Sequence, residues 1–160
     1  MDFKVGDKAV HPAHGVGEVT SIEKKSIAGA DKNFYILKIV ESGMTVMVPV
    51  DGVKRLGLRV VISKREATKV MNELKKDEVA VTSQPWNRRY REYTEMLKSG
   101  SPIEVAKVLR DLSRLRSDKE LSFGERRLLE QARNLLVAEL ALAKSVSEDK
   151  INKDIDKILD

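Results

Sequence analysis

The chain has 160 residues, with 30 Lys/Arg against 25 Asp/Glu, a formal net charge of +5 and no cysteine. The missing cysteine excludes a disulfide framework, a thiolate nucleophile and a Cys-based zinc site, and the length fits one domain or two small ones. The surplus of positive charge suits a polyanionic partner without requiring one.

That surplus sits in one part of the chain. Residues 1–100 carry 18 basic and 13 acidic residues, whereas residues 101–160 carry 12 of each. The opening "MDFKVGDKAV" lacks the basic and apolar regions of a secretory signal. No apolar run approaches the roughly 18–20 residues needed to cross a bilayer. A soluble, cytoplasmic protein without a membrane partner is expected.

Up to residue 60 the chain reads as strands. "KAVHP", "GVGEVTSIE", "FYILKIV", "TVMVPV" and "LRVVI" are short, rich in Val and Ile, and separated by turn residues such as "AGADKN" and "ESGM". Five short strands predict a small, strongly bent barrel of Tudor or SH3-like type. Pro49 cannot donate to a ladder, so "TVMVPV" belongs at an edge. Met44, Val46 and Met47 then lie beside unpaired backbone that a partner could use.

From residue 61 the pattern becomes helical. Ser63 with Glu66 and Ser122 with Glu125 have capping-box spacing, and Ser101-Pro102 places a cap before a proline at the first helical position. Gly100 is a natural stop for the helix that begins near Trp86, and Ser147 caps a last helix with Ile151, Ile155 and Ile158 on one side. The fold class is α+β, a small barrel over residues 1–60 followed by a bundle of about five helices over 61–160. Val105, Val108, Leu109, Leu112 and Leu115 form a core stripe. Lys107, Arg110 and Arg114 fall opposite them and are expected on a solvated outer face.

Catalytic chemistry is not visible. His11 and His14 have HxxH spacing but no third ligand beside them, so no metal is expected. "HGVGEV" lacks a dinucleotide or phosphate-loop motif and leads into a strand. No nucleophile elbow occurs, and neither an enzyme nor a cofactor is expected.

The only tryptophan stands in "SQPWNRRYREY". Trp86, Tyr90, Tyr93 and Leu97 share one side of a helix, which favours a core stripe. Trp86 nevertheless lies in the first turn, beside Arg88, Arg89 and Arg91. An aromatic ring bracketed by arginines can also grip nucleic acid, with the cations on phosphates and the ring at a distorted step. Spacing leaves both readings open.

Taken whole, the sequence resembles the bacterial CarD/CdnL family of RNA polymerase-binding transcription regulators. "FKVGDKAVHPAHGVGEVTSIE", "FYILKI", "MTVMVPV", "LGLR", "PWNRRYREYTEMLKSG", "EVAKVLRDLSRL" and "LSFGERRLLEQARNLLVAELALA" carry the likeness. The resemblance implies an N-terminal Tudor-like domain docked on the polymerase β subunit through Lys25, Ile27, Thr45, Val46, Met47, Val48 and Pro49. Relatives can carry Arg at the positions of Lys25 and Met47, which implies more apolar burial and less charge pairing here. It also implies that Trp86 wedges into promoter DNA at the upstream edge of the transcription bubble while Arg88, Arg89 and Arg91 hold the backbone. Trp86 would then be solvent-exposed, with Tyr90, Tyr93 and Leu97 packed.

The implied action is that of a monomer which stabilises the open promoter complex and associates with the nucleoid through polymerase. DNA binding by the protein alone would be weak. The alternative is a Tudor- or KOW-like interaction adaptor with no DNA role. A stand-alone nucleoid protein would instead bind duplex tightly, with a steep salt dependence.

Overall fold

The computed structural model describes residues 3–76, 86–118 and 120–159, apart from the side chains of Trp86, Asn87 and Asp118. The chain divides into two compact units, Met1–Val61 and Ile62–Asp160.

The first unit is a curled antiparallel meander, a half-barrel. Its strands are β1 (Lys8–His11), β2 (Gly15–Ile27), β3 (Ala30–Ile39) and β4 (Thr45–Pro49), in the spatial order of the chain. A register shift between Val19 and Ser21 leaves Thr20 out of the β2–β3 pairing. The Thr20 hydroxyl donates to the Ile36 carbonyl at 3.2 Å. Such a bulge bends a long strand and lets it wrap a small core. Val19, Tyr35, Leu37, Ile39 and Val48 fill that core. The Phe3 ring meets Tyr35 edge-on at 5.6 Å, and the Tyr35 hydroxyl accepts the Phe3 N–H.

Gly17 is needed for close approach. A Cβ there would lie 2.7 Å from Leu37 Cγ and 3.1 Å from the Lys38 carbonyl oxygen.

Two expectations change. The turn expected over "AGADKN" is only Ala28-Gly29, both with positive φ, as a two-residue hairpin loop demands. The strands continue on either side of it, but residues 23–33 are all exposed. Lacking a buried face, they carry no alternating apolar signal.

The fifth strand, "LRVVI", is a single bridge. After a short 3-10 turn (Val50–Gly52) and α1 (Val53–Leu56), Arg59 exchanges both backbone hydrogen bonds with Val10 at 2.7 and 3.1 Å. The Ile62 N–H donates to Glu139 Oε2 at 3.0 Å, so the chain leaves the sheet instead of extending it.

The second unit has five helices among the described residues: α2 (Lys64–Lys75), α3 (Trp86–Lys98), α4 (Pro102–Asp118), α5 (Phe123–Lys144) and α6 (Glu148–Leu159). Both capping boxes form as their spacing predicts. Ser101 Oγ accepts the Glu104 N–H, and Gly100 ends α3 with φ +79°. The α4 stripe joins Leu74, Leu97, Leu136, Ile151 and Ile155 in one core.

Arg110 contradicts the outer-face expectation. It is only 2% exposed. Its Nη1 donates to the Glu73 carbonyl and to Glu73 Oε1 at 3.1 and 3.2 Å. Its Nε donates to Asp111 Oδ1 at 3.4 Å. Arg114 Nη2 donates to the Lys76 carbonyl. The last carbonyls of a helix lack partners within it and carry the negative end of its dipole, so the guanidinium groups fit there. Of the three expected outer residues, Lys107 alone keeps a half-exposed position, paired with Glu104 at 3.3 Å.

Candidate partner surfaces

The first surface follows from pairing. Residues opposite one another across a sheet share a face, and neighbours along a strand alternate. Lys25 stands opposite Lys32, Ile27 opposite Ala30, Met47 opposite Ile36, Thr45 opposite Lys38 and Pro49 opposite Phe34. The positions 30, 32, 34, 36 and 38 of β3 lie on one face. Lys25, Ile27, Thr45, Met47 and Pro49 therefore share the face opposite the core.

Ile27 and Met47 are 47% and 43% exposed there, with Lys25, Lys32 and Lys38 around them. Val46 and Val48 point the other way. Val48 is fully buried opposite Tyr35, and Val46 packs partly on the same core. Their side chains hold the fold, and only their backbone is open to a partner's reach.

β4 is an edge strand, paired among the described residues only with β3. The Ile39 N–H donates to the Met44 carbonyl at 2.8 Å. In an antiparallel ladder every second residue makes such bonds, so Val46 and Val48 continue the series inward. Thr45, Met47 and Pro49 then turn their backbone groups to the open edge. Pro49 has no N–H to miss there.

The second surface is on α3. Arg88 and Arg91 are exposed and lie about 60° apart round the axis, away from buried Tyr93 and Leu97. Arg88 Nε also lies 3.6 Å from Glu92, an exposed pair of small energetic weight. Arg89 is half-buried on another side, where its charge partly offsets the upward shift of the Tyr93 hydroxyl. Burial is the main cause of that shift, followed by the charge of Asp111. The three arginines thus do not share one face. The Trp86 backbone begins α3, but its ring lies outside the described residues, as does its expected exposure.

Tyr90, expected to pack, is 44% exposed. The core on α3 reaches Tyr93, Met96 and Leu97 and tapers toward the helix start. A ring one turn after Trp86 is therefore available at the surface. Sequence reasoning also missed Phe123, which is 69% exposed at the start of α5, with the Arg127 guanidinium 6.0 Å from its ring centre. The capping box that precedes Phe123 fixes it as a first-turn residue, where an apolar side chain has less core to meet.

The histidine pair has a different character. The rings are 4.7 Å apart, and burial, then the charge of His14, lowers the His11 pKa. His11 Nδ1 accepts the Ala13 N–H at 3.1 Å, which puts the ring proton on Nε2 and leaves no lone pair there for a metal. Among the described residues no group of three or more His, Cys, Asp or Glu could hold a metal ion. Among them, too, no helix is long and apolar enough to cross a membrane.

Comparison with known proteins matches both units. Residues 3–62 match the CarD-like/TRCF RID domain, and residues 69–156 match the CarD C-terminal domain. The chain is 32% identical over 149 residues to YdeB of Bacillus subtilis (strain 168), a candidate transcription factor by its name. That alignment covers 93% of this chain and 97% of the relative. Among solved structures, the Myxococcus xanthus CdnL N-terminal domain is 51% identical, covering 39% of this chain and 89% of that one, with a TM-score of 0.34. The 72-residue N-terminal domain of Myxococcus xanthus CarD is 38% identical, covering 36% and 77%, with a TM-score of 0.33.

Proposed function

The chain belongs to the CarD family of transcription factors, which are not enzymes, and from that premise we propose that it docks on the RNA polymerase β subunit and stabilises the open promoter complex. The segment 1–60 is the polymerase-docking part, and the segment 61–160 is the DNA-contacting part. Docking uses the face of Lys25, Ile27, Thr45, Met47 and Pro49 together with the backbone edge of β4, to which a β-subunit strand can add. Val46 and Val48 contribute backbone only. Trp86 wedges at the upstream edge of the bubble, while Arg88 and Arg91 meet phosphates from the outer side of α3 and Arg89 from its flank.

The observation that carries this reading is the register, which gathers five of the seven implied docking side chains on one face beside an open edge. Docking raises the local concentration of a weak DNA binder at the fork. Only a higher affinity for the melted junction than for closed duplex then shifts the equilibrium. A stacked ring contributes roughly 1–3 kcal/mol, about a five- to hundred-fold shift. The protein acts as a monomer in the cytoplasm and reaches the nucleoid through polymerase. No catalytic step and no cofactor are needed.

The test is affinity for a β fragment. Met47→Glu loses it, and Trp86→Ala retains it. Undiminished binding by Met47→Glu would move the interface off this face. Retention by Trp86→Ala without any effect on promoter complexes would favour an adaptor with no DNA role.

A further inference from the structure

We propose that Arg110 and Arg114 of α4 are positioning residues for the DNA contact, because they fix the end of α2 from which the chain proceeds to Trp86. The proposal rests on the wedge reading above. α2 ends without the left-handed glycine that closes many helices; its cap, Lys76, is extended at φ −64° and ψ 140°. The closure comes from another helix. Arg110 Nη1 bonds the Glu73 carbonyl, and Arg114 Nη2 bonds the Lys76 carbonyl. These two contacts, four residues apart on α4, meet carbonyls three residues apart on α2. They set both the position and the rotation of its last turn.

The charge of buried Arg110 is met by Glu73 Oε1 at 3.2 Å and Asp111 Oδ1 at 3.4 Å, and Lys76 Nζ closes on Glu73 Oε2 at 2.8 Å. Asp111 also faces the other flank, since its charge acts on the Tyr93 hydroxyl of α3. Tyr93 and Leu97 pack in the same core as Leu109 and Leu112 of α4. One pair of α4 turns therefore holds the last described residue before Trp86, Lys76, and the packed part of the helix that Trp86 begins.

Stability alone does not call for this arrangement. A buried ion pair is often replaced by apolar residues at no loss, so what the pair supplies is a defined geometry. A wedge needs that geometry, because a ring misplaced at the fork gains nothing from stacking.

The experiment uses the full chain, whose one tryptophan makes fluorescence report on Trp86 alone. Arg114→Met and the paired change Glu73→Met with Arg110→Met are compared with the parent and with Trp86→Ala. Both are expected to keep helical content and β-fragment affinity while increasing the local rotational freedom of Trp86 seen in anisotropy decay. Open-complex stabilisation should fall about five-fold or more, the lower end of a stacked ring's contribution. Arg114→Lys should restore part of it.

Unchanged Trp86 anisotropy, or undiminished open-complex stabilisation in a folded variant while Trp86→Ala is defective, overturns the positioning role and leaves the wedge standing. If Trp86→Ala itself matches the parent, the wedge reading fails and the proposal with it. Should the paired variant not fold, Arg114→Met decides.

Discussion

The two units hold their candidate surfaces by opposite means. In the sheet unit the surface is a consequence of register: alternation turns Met47 outward and Val48 inward, and a slip by one residue would exchange them. In the helical unit side chains govern the geometry, with Arg110 and Arg114 reaching from α4 to the backbone of α2. The first surface is protected by every rung of a ladder. The second depends on a few charged contacts, so single substitutions should separate the two.

The largest effect should come from breaking the buried pair on one side. Arg110→Ala strands the Glu73 and Asp111 carboxylates and is expected to cost about 3–5 kcal/mol in denaturant unfolding. The paired Glu73→Met, Arg110→Met variant should stay within about 1 kcal/mol of the parent. Equal losses in both would remove the pairing argument.

The same cluster has a pH signature. The Lys76 hydrogen bond, ahead of the nearby charges of Lys76 and Arg110, holds the Glu73 carboxyl below its ordinary value of 4.5 despite burial. A carboxyl depressed in the folded state stabilises it above the unfolded pKa. That contribution is lost as pH falls through the folded pKa. Unfolding profiles should therefore weaken below about pH 4.5, and Glu73→Gln should flatten that limb.

In the sheet unit, Gly17→Val drives a side chain into Leu37 and the Lys38 carbonyl. A loss of about 1–3 kcal/mol by urea unfolding is expected. Removing a helix cap is milder. Ser63→Ala or Ser122→Ala should each cost about 1 kcal/mol by the same measurement. Met47→Glu sharpens the comparison most, because its stability should change by less than about 0.5 kcal/mol while β-fragment binding disappears.

The legible parts of the sequence were those where one local rule acts alone. Period-two runs marked β1, the first half of β2, β3 and β4, and capping spacing marked the starts of α2 and α5. The extension of β2 to Ile27 was hidden because neither face of the outer hairpin is buried. Arg110 was hidden because helical periodicity assigns a charged residue opposite an apolar stripe to solvent. Its partners, Glu73 and Lys76, lie more than thirty residues away in sequence. Tyr90 shares the apolar side of α3, and only the taper of the core decides its exposure. Among the implied site residues, strand alternation already separates Met47 from Val48. The division of Arg89 from Arg88 and Arg91 needed the packed direction of α3.

The central claim is that Trp86 holds the bubble open from a protein docked elsewhere. Its most direct test is open-complex lifetime on one promoter, with no protein, with the parent and with Trp86→Ala at concentrations that saturate β. The account predicts a lengthened lifetime with the parent and, for Trp86→Ala, a lifetime shorter by about five-fold or more. Equal lifetimes with parent and variant would contradict it.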